Sequence, residues 1–188
     1  MTQQTTTQKR RLGRTDIEVT PVGLGGNKFS GGKGVFRFIG PALSQEEVNG
    51  IIKAALDGGI NWFDTAEMYG GGHSEKSLTG GLRAAGKADG EAVIATKWSP
   101  FFRTAGNIPR TIDVRCQILD GYTIDLYMVH NPMSFSSAEA EMAAMADLVE
   151  AGKIRTVGVS NFNEKQMRRA HAAVSYTHLT LPTNRVAG

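Results

Sequence analysis

Four short apolar runs, each closing on a polar group with chemistry, constrain this chain more than any other feature. Asn61-Trp62-Phe63 leads to Asp64, Val93-Ile94-Ala95-Thr96 to Lys97, Leu126-Tyr127-Met128-Val129 to His130, and Val157-Gly158-Val159 to Ser160-Asn161. The closing positions 64, 97, 130 and 160 lie 33, 33 and 30 residues apart. Between the runs lie segments of helical period, so the pattern is that of βαβ units on a parallel sheet. In such sheets the carboxyl ends of all strands open on one face, where sites are built. Asp64, Lys97, His130 and Asn161 are therefore expected to converge. Ankyrin and TPR repeats also have a period near this one, but they lack apolar strand runs.

The expected elements follow from pattern. A small hairpin spans Leu12 to Glu18, and the first barrel strand covers Val19 to Gly25, followed by a Gly-rich loop from Gly26 to Leu43. Further strands are expected at Ile60 to Thr65, Ala92 to Trp98, Ile124 to His130 and Ile154 to Ser160. Ser44-Gln45-Glu46-Glu47 is a capping box. Val48, Ile51, Ile52, Ala55 and Leu56 behind it share one helical face, and Gly58-Gly59 stops the helix. Other helices are expected over Ser74 to Ala85, Pro109 to Leu119 and Ala138 to Ala151, and one opens at Asn163. Strands this short and apolar are covered on both faces.

Charge and composition narrow the function. With 21 Lys and Arg against 18 Asp and Glu, the net charge of +3 implies no nucleic-acid partner. One cysteine, Cys116, excludes a disulfide framework and fits a reducing compartment. No apolar run approaches the roughly 18 residues of a membrane helix. Residues 1–10 read as a disordered tail without a signal-peptide h-region, so the expected location is the cytoplasm. His73, His171 and His178 show no metal-ligand spacing, and no metal is expected. Gly23-Leu24-Gly25-Gly26-Asn27-Lys28 lacks the third glycine of a Rossmann fingerprint. Gly81 to Ala88 has the glycines and lysine of a P-loop but no Mg²⁺-binding hydroxyl, and it reads as a helix end.

An ammonium at the end of an apolar strand needs a counter-ion, and Asp64 is the natural partner of Lys97. Tyr69 lies five residues past Asp64. Beside a lysine and an imidazole, its phenol is expected to titrate closer to neutral pH and to serve as a proton donor.

In order and spacing, Asp64-Thr65-Ala66-Glu67-Met68-Tyr69-Gly70, Ala95-Thr96-Lys97-Trp98, Ile124-Asp125-Leu126-Tyr127-Met128-Val129-His130-Asn131-Pro132 and Gly158-Val159-Ser160-Asn161-Phe162 resemble the aldo-keto reductase family. The resemblance implies an α/β fold, a (β/α)8 TIM-type barrel with an amino-terminal hairpin, and NADP(H) bound at its carboxyl face. It implies a catalytic tetrad of Asp64, Tyr69, Lys97 and His130 acting on a small-molecule carbonyl substrate. Hydride passes from the nicotinamide to the carbonyl carbon while Tyr69 donates a proton to the oxygen. Lys97, held by Asp64, lowers the tyrosine pKa, and His130 orients the carbonyl. Ser160 and Asn161 match positions that hydrogen-bond the nicotinamide carboxamide. Some relatives act instead as redox-sensing channel subunits, an alternative that the tetrad does not separate; an inactive fragment is a further one.

A full barrel of this type needs about 250 residues, whereas five βα units and a hairpin are counted here. The expected division is a tail at 1–10, a partial barrel at 11–173, and a tail at 174–188 that departs from the family pattern and resembles read-through of a shortened frame. On that reading the first and fifth strands stand as unpaired edges, and the 188-residue polypeptide is expected to reduce carbonyls inefficiently.

Overall fold

Each of the apolar runs forms a parallel strand. The computed structural model describes residues 8–33, 41–174 and 179–180. Two elements, β1 (Arg10–Arg11) and β2 (Glu18–Val19), form the antiparallel hairpin. The parallel sheet then runs in chain order through β3 (Leu24–Gly25), β4 (Trp62–Asp64), β5 (Val93–Trp98), β6 (Ile124–Val129), β7 (Ile154–Val159) and β8 (Leu179–Thr180). Helices α1 (Gln45–Asp57), α2 (His73–Ala84), α3 (Ile108–Leu119), α4 (Ala138–Glu150) and α5 (Glu164–Ala173) connect the strands. This α/β arrangement of successive parallel units is a partial TIM-type barrel.

Three sequence expectations are revised. The run Val19 to Gly25 is not one strand: Val19 pairs in the hairpin, and only Leu24–Gly25 joins the parallel sheet. The Thr20 amide donates instead to the Asn61 side chain at 2.8 Å, and Pro21 lies within the interruption. The hairpin also starts at Arg10, one residue into the expected tail. Third, β7 is not an unpaired edge, since Val157 and Gly158 pair with Leu179 and Thr180. Residues 1–7, the segment 34–40 of the Gly-rich loop, 175–178 (with His178) and 181–188 lie outside the described residues.

Local signals hold where they are chemically explicit. Ser44 and Glu47 close both halves of the capping box on α1, and Asn163 and Gln166 do the same on α5. The P-loop-like stretch is the end of α2, with Gly86 at φ 73° just beyond it.

Register decides which side chains meet. Neighbouring strands pair Asp64 with Ala95, Lys97 with Met128, and Leu126 with Thr156. Side chains alternate along a strand, so Asp64, Lys97, His130 and Ser160 fall on one face with Ala95, Leu126 and Met128. Those three apolar residues pack with Leu12 of the hairpin as a small inner cluster. The opposite face, with Phe63, Ile94, Trp98, Tyr127, Val129, Val157 and Val159, buries itself against the helices in the larger core. Arg155 of β7 ties the hairpin to the sheet, donating to Asp16 at 3.0 Å and to Asp125 of β6 at 2.7 Å.

Candidate active site

At the carboxyl end of β5, the side chain of Lys97 is 6% exposed and its ammonium spends its donors within the site. It donates to Asp64 Oδ1 at 2.6 Å, Asp64 Oδ2 at 2.7 Å and the Thr65 carbonyl at 2.9 Å. Burial pushes the lysine pKa down and the Asp64 pKa up, while their mutual attraction opposes both shifts.

Tyr69 is carried over this pair by a chain reversal through Ala66 to Gly72, in which the Tyr69 amide donates to the Ala66 carbonyl at 3.0 Å. Gly70 holds φ 71°, and a side chain there would drive into the Ser30 carbonyl at 2.3 Å. Glycine is thus required by both conformation and space. Lys97 Nζ lies 5.3 Å from the centre of the Tyr69 ring. His130 meets the same ring edge to face, with centroids 5.6 Å apart and planes at 79°. Asp64, Tyr69, Lys97 and His130 therefore form one cluster.

The expected electrostatics do not follow. The Tyr69 phenol is pushed up to about 12, by burial first and then by the Asp64 carboxylate. Lys97 does not reverse this because its charge is paired with that same carboxylate. His130 is pushed down to about 4 by burial and by the Lys97 charge. Near neutral pH the phenol keeps its proton and the imidazole is neutral, so the cluster holds a hydroxyl donor beside an uncharged ring.

Ser160 and Asn161 follow β7. Asn161 adopts φ 60°, and its amide donates to the His130 carbonyl at 2.8 Å and to Ser160 Oγ at 3.2 Å. They join the cluster through the backbone of His130, whose amide in turn donates to the Trp98 carbonyl at 3.0 Å.

A buried ionic network behind the cluster escaped the sequence reading. Glu75 is fully buried; it accepts from Arg115 Nη1 at 2.6 Å and from the Thr96 hydroxyl at 2.6 Å. Glu67 accepts from Arg103 Nη1 at 2.5 Å and from the Ser99 amide at 2.7 Å. The signal for Glu75 and Arg115 was available. Glu75 shares a helical face with Leu78 and Leu82, and Arg115 shares one with Ile112 and Leu119, so each places a charge on an apolar stripe. Among the described residues no cluster of His, Cys, Asp and Glu could hold a metal ion.

Comparison with known proteins decides the ancestry. The sequence pattern of the Aldo/keto reductase family matches residues 21–184. The chain belongs to this family. Aldo-keto reductase YhdN of Bacillus subtilis (strain 168) is 37% identical over 141 residues, covering 71% of this chain and 42% of the relative. A thermostable aldo-keto reductase crystallised with the inhibitor epalrestat superposes with a TM-score of 0.75 at 31% identity, over 88% of this chain and 58% of that one. An aldo-keto reductase from Klebsiella pneumoniae in complex with NADPH superposes with a TM-score of 0.69 at 25% identity, over 86% and 52% of the two chains. This aldo-keto reductase chain spans about half the length of the curated relatives it matches. No helix among its described residues is long and apolar enough to cross a membrane.

Proposed function

We propose that the chain carries the catalytic cluster of a cytoplasmic, NADP(H)-dependent reductase of aldehydes or ketones, with Tyr69 as proton donor. The observation that carries the reading is the packing of Tyr69 against both Lys97 and His130, with Asp64 holding the lysine.

The residues at the strand ends fit a nicotinamide. His130 Nδ1 and Asn131 Oδ1 are buried without a hydrogen-bond partner in the protein, and they sit where β6 ends beside Ser160 and Asn161. A primary carboxamide offers donors and an acceptor complementary to such groups. Ser160 and Asn161 would hold that carboxamide. When bound, the reduced nicotinamide supplies the hydride that reduces the carbonyl carbon.

The protein's own part is proton delivery and orientation. Tyr69 holds its proton at Oη throughout the neutral range and can release it to the carbonyl oxygen, because an alkoxide is a stronger base than a phenolate. The neutral His130 ring supports a hydrogen bond to the same oxygen without competing as an acid. Asp64 keeps Lys97 charged and in place, so the Tyr69 ring rests on a fixed cation.

Titration of the chain with NADPH, followed by nicotinamide fluorescence, tests the cofactor reading: saturable binding supports it, and a linear response overturns it. Turnover is tested by NADPH oxidation in the presence of a simple aromatic aldehyde, with Tyr69→Phe as the control.

A further inference from the structure

The parallel ladder between β4 and β5 continues past the strand ends. The Thr65 amide donates to the Ala95 carbonyl at 2.8 Å and the Glu67 amide donates to the Lys97 carbonyl at 3.2 Å. On the next rung the chain carrying Tyr69 turns away, leaving the Ser99 amide without a backbone acceptor from it. The side chain of Glu67 supplies that acceptor, with Oε1 at 2.7 Å from the Ser99 amide. The same oxygen receives Arg103 Nη1 at 2.5 Å, while Oε2 lies 4.0 Å from Arg115 Nε. Glu67 is 7% exposed, and the two arginines face it from the β5–α3 loop and from α3. One carboxylate, two residues from Tyr69, thus joins the tyrosine's loop to the segment that follows Lys97.

We propose that Glu67 is a positioning residue that sets the place of the Tyr69 ring over Lys97 and His130, with Arg103 as its working partner. The proposal rests on the reading of Tyr69 as proton donor. Its geometry is independent of cofactor or substrate. A buried carboxylate with a charge-assisted partner and a backbone amide donor holds its segment more tightly than neutral contacts do. Loss of the carboxylate frees the Ser99 amide and the Arg103 guanidinium together, and the Ala66–Gly72 reversal loses its side-chain tie to the segment after β5, keeping only the backbone bond from the Glu67 amide to the Lys97 carbonyl.

The test follows the Tyr69 phenol itself, by NMR titration of the 188-residue chain with ¹³Cζ-labelled tyrosine, the resonance being assigned by its loss in Tyr69→Phe. In Glu67→Ala the ring leaves its buried place and the Tyr69 titration shifts from about 12 toward the ordinary tyrosine value. Glu67→Gln, which keeps an acceptor for Ser99, restores most of the shift. Glu75→Gln, a change at the fully buried carboxylate of α2, leaves Tyr69 titrating as in the parent. An unchanged Tyr69 titration in Glu67→Ala overturns the proposal, as does an equal shift in Glu75→Gln. If Glu67→Ala does not fold, Arg103→Met, at a half-exposed side chain, decides in the same way: displacement of the Tyr69 titration supports the proposal and an unchanged one overturns it. Since no arm of this test requires turnover, a failure of the reductase reading would show separately, as activity retained in Tyr69→Phe.

Discussion

Lys97 Nζ sits 2.6 Å from Asp64 Oδ1 and 2.7 Å from Asp64 Oδ2, so the cation at the centre of the cluster is neutralised by a carboxylate on the neighbouring strand. The consequence is that Tyr69 feels an ion pair rather than a bare cation, and burial wins.

The pair itself is the first point of test. Asp64→Asn leaves a buried ammonium with a carbonyl and a neutral amide, and breaking a buried pair from one side costs about 3–5 kcal/mol. Asp64→Asn combined with Lys97→Met removes both charges and is expected to recover much of that loss. Urea denaturation of the parent, the single variant and the double variant measures the coupling.

Tyr69 is expected to titrate near 12. Its pKa is higher in the folded state than in the unfolded one, so its contribution to stability is fully present below pH 10 and is lost as pH rises from 10 through 12. Ultraviolet absorbance of tyrosinate against pH, compared with Tyr69→Phe, isolates this group. In a complete barrel of the family carrying the equivalent change, aldehyde reduction is expected to fall by about 100-fold or more while NADPH affinity is retained.

His130 behaves in the opposite sense. Its pKa of about 4 lies below the ordinary imidazole value of 6.5, so the stability that depends on its neutral form is present above pH 6.5 and is lost as pH falls through 4. The loss reaches at most about 3 kcal/mol, reduced by solvent screening at the open end of the sheet. Chemical denaturation from pH 7 to pH 4 is expected to show this slope in the parent and a shallower one in His130→Asn.

Gly23 shows that the glycine content is partly steric. A Cβ at this position would stand 2.1 Å from Trp62 Cε2, and the indole is held there by its donation to the Thr20 carbonyl at 3.0 Å. Gly23→Ala therefore forces the ring aside at a cost of about 1–3 kcal/mol. Tryptophan-monitored urea unfolding should show a lower midpoint with little change in slope.

Local and periodic features of the fold were legible because their causes are local. The capping residues Ser44 and Asn163 satisfy free amides within their own helices, and the apolar runs ending at Asp64, Lys97 and His130 needed only alternation and a cover on both faces. Val19 was misplaced because its pairing with Arg10 depends on how the chain around Pro21 meets Asn61, a contact 41 residues away in sequence. Glu67 stood in plain view within the Asp64–Gly70 motif, yet nothing in the motif says that its carboxylate replaces a backbone acceptor for Ser99.

The sequence by itself determined that Asp64, Lys97, His130 and Ser160 lie at the carboxyl ends of parallel strands, since strand period and a polar residue after each apolar run depend on nearest neighbours alone. Only the tertiary structure decided their charge states. A pKa answers to burial and to every charge within a few ångströms, and the packing of β4 against β5 pairs Asp64 with Lys97 close enough to the phenol for the carboxylate charge to act on it. The cluster therefore holds a tightly protonated tyrosine rather than an acidified one.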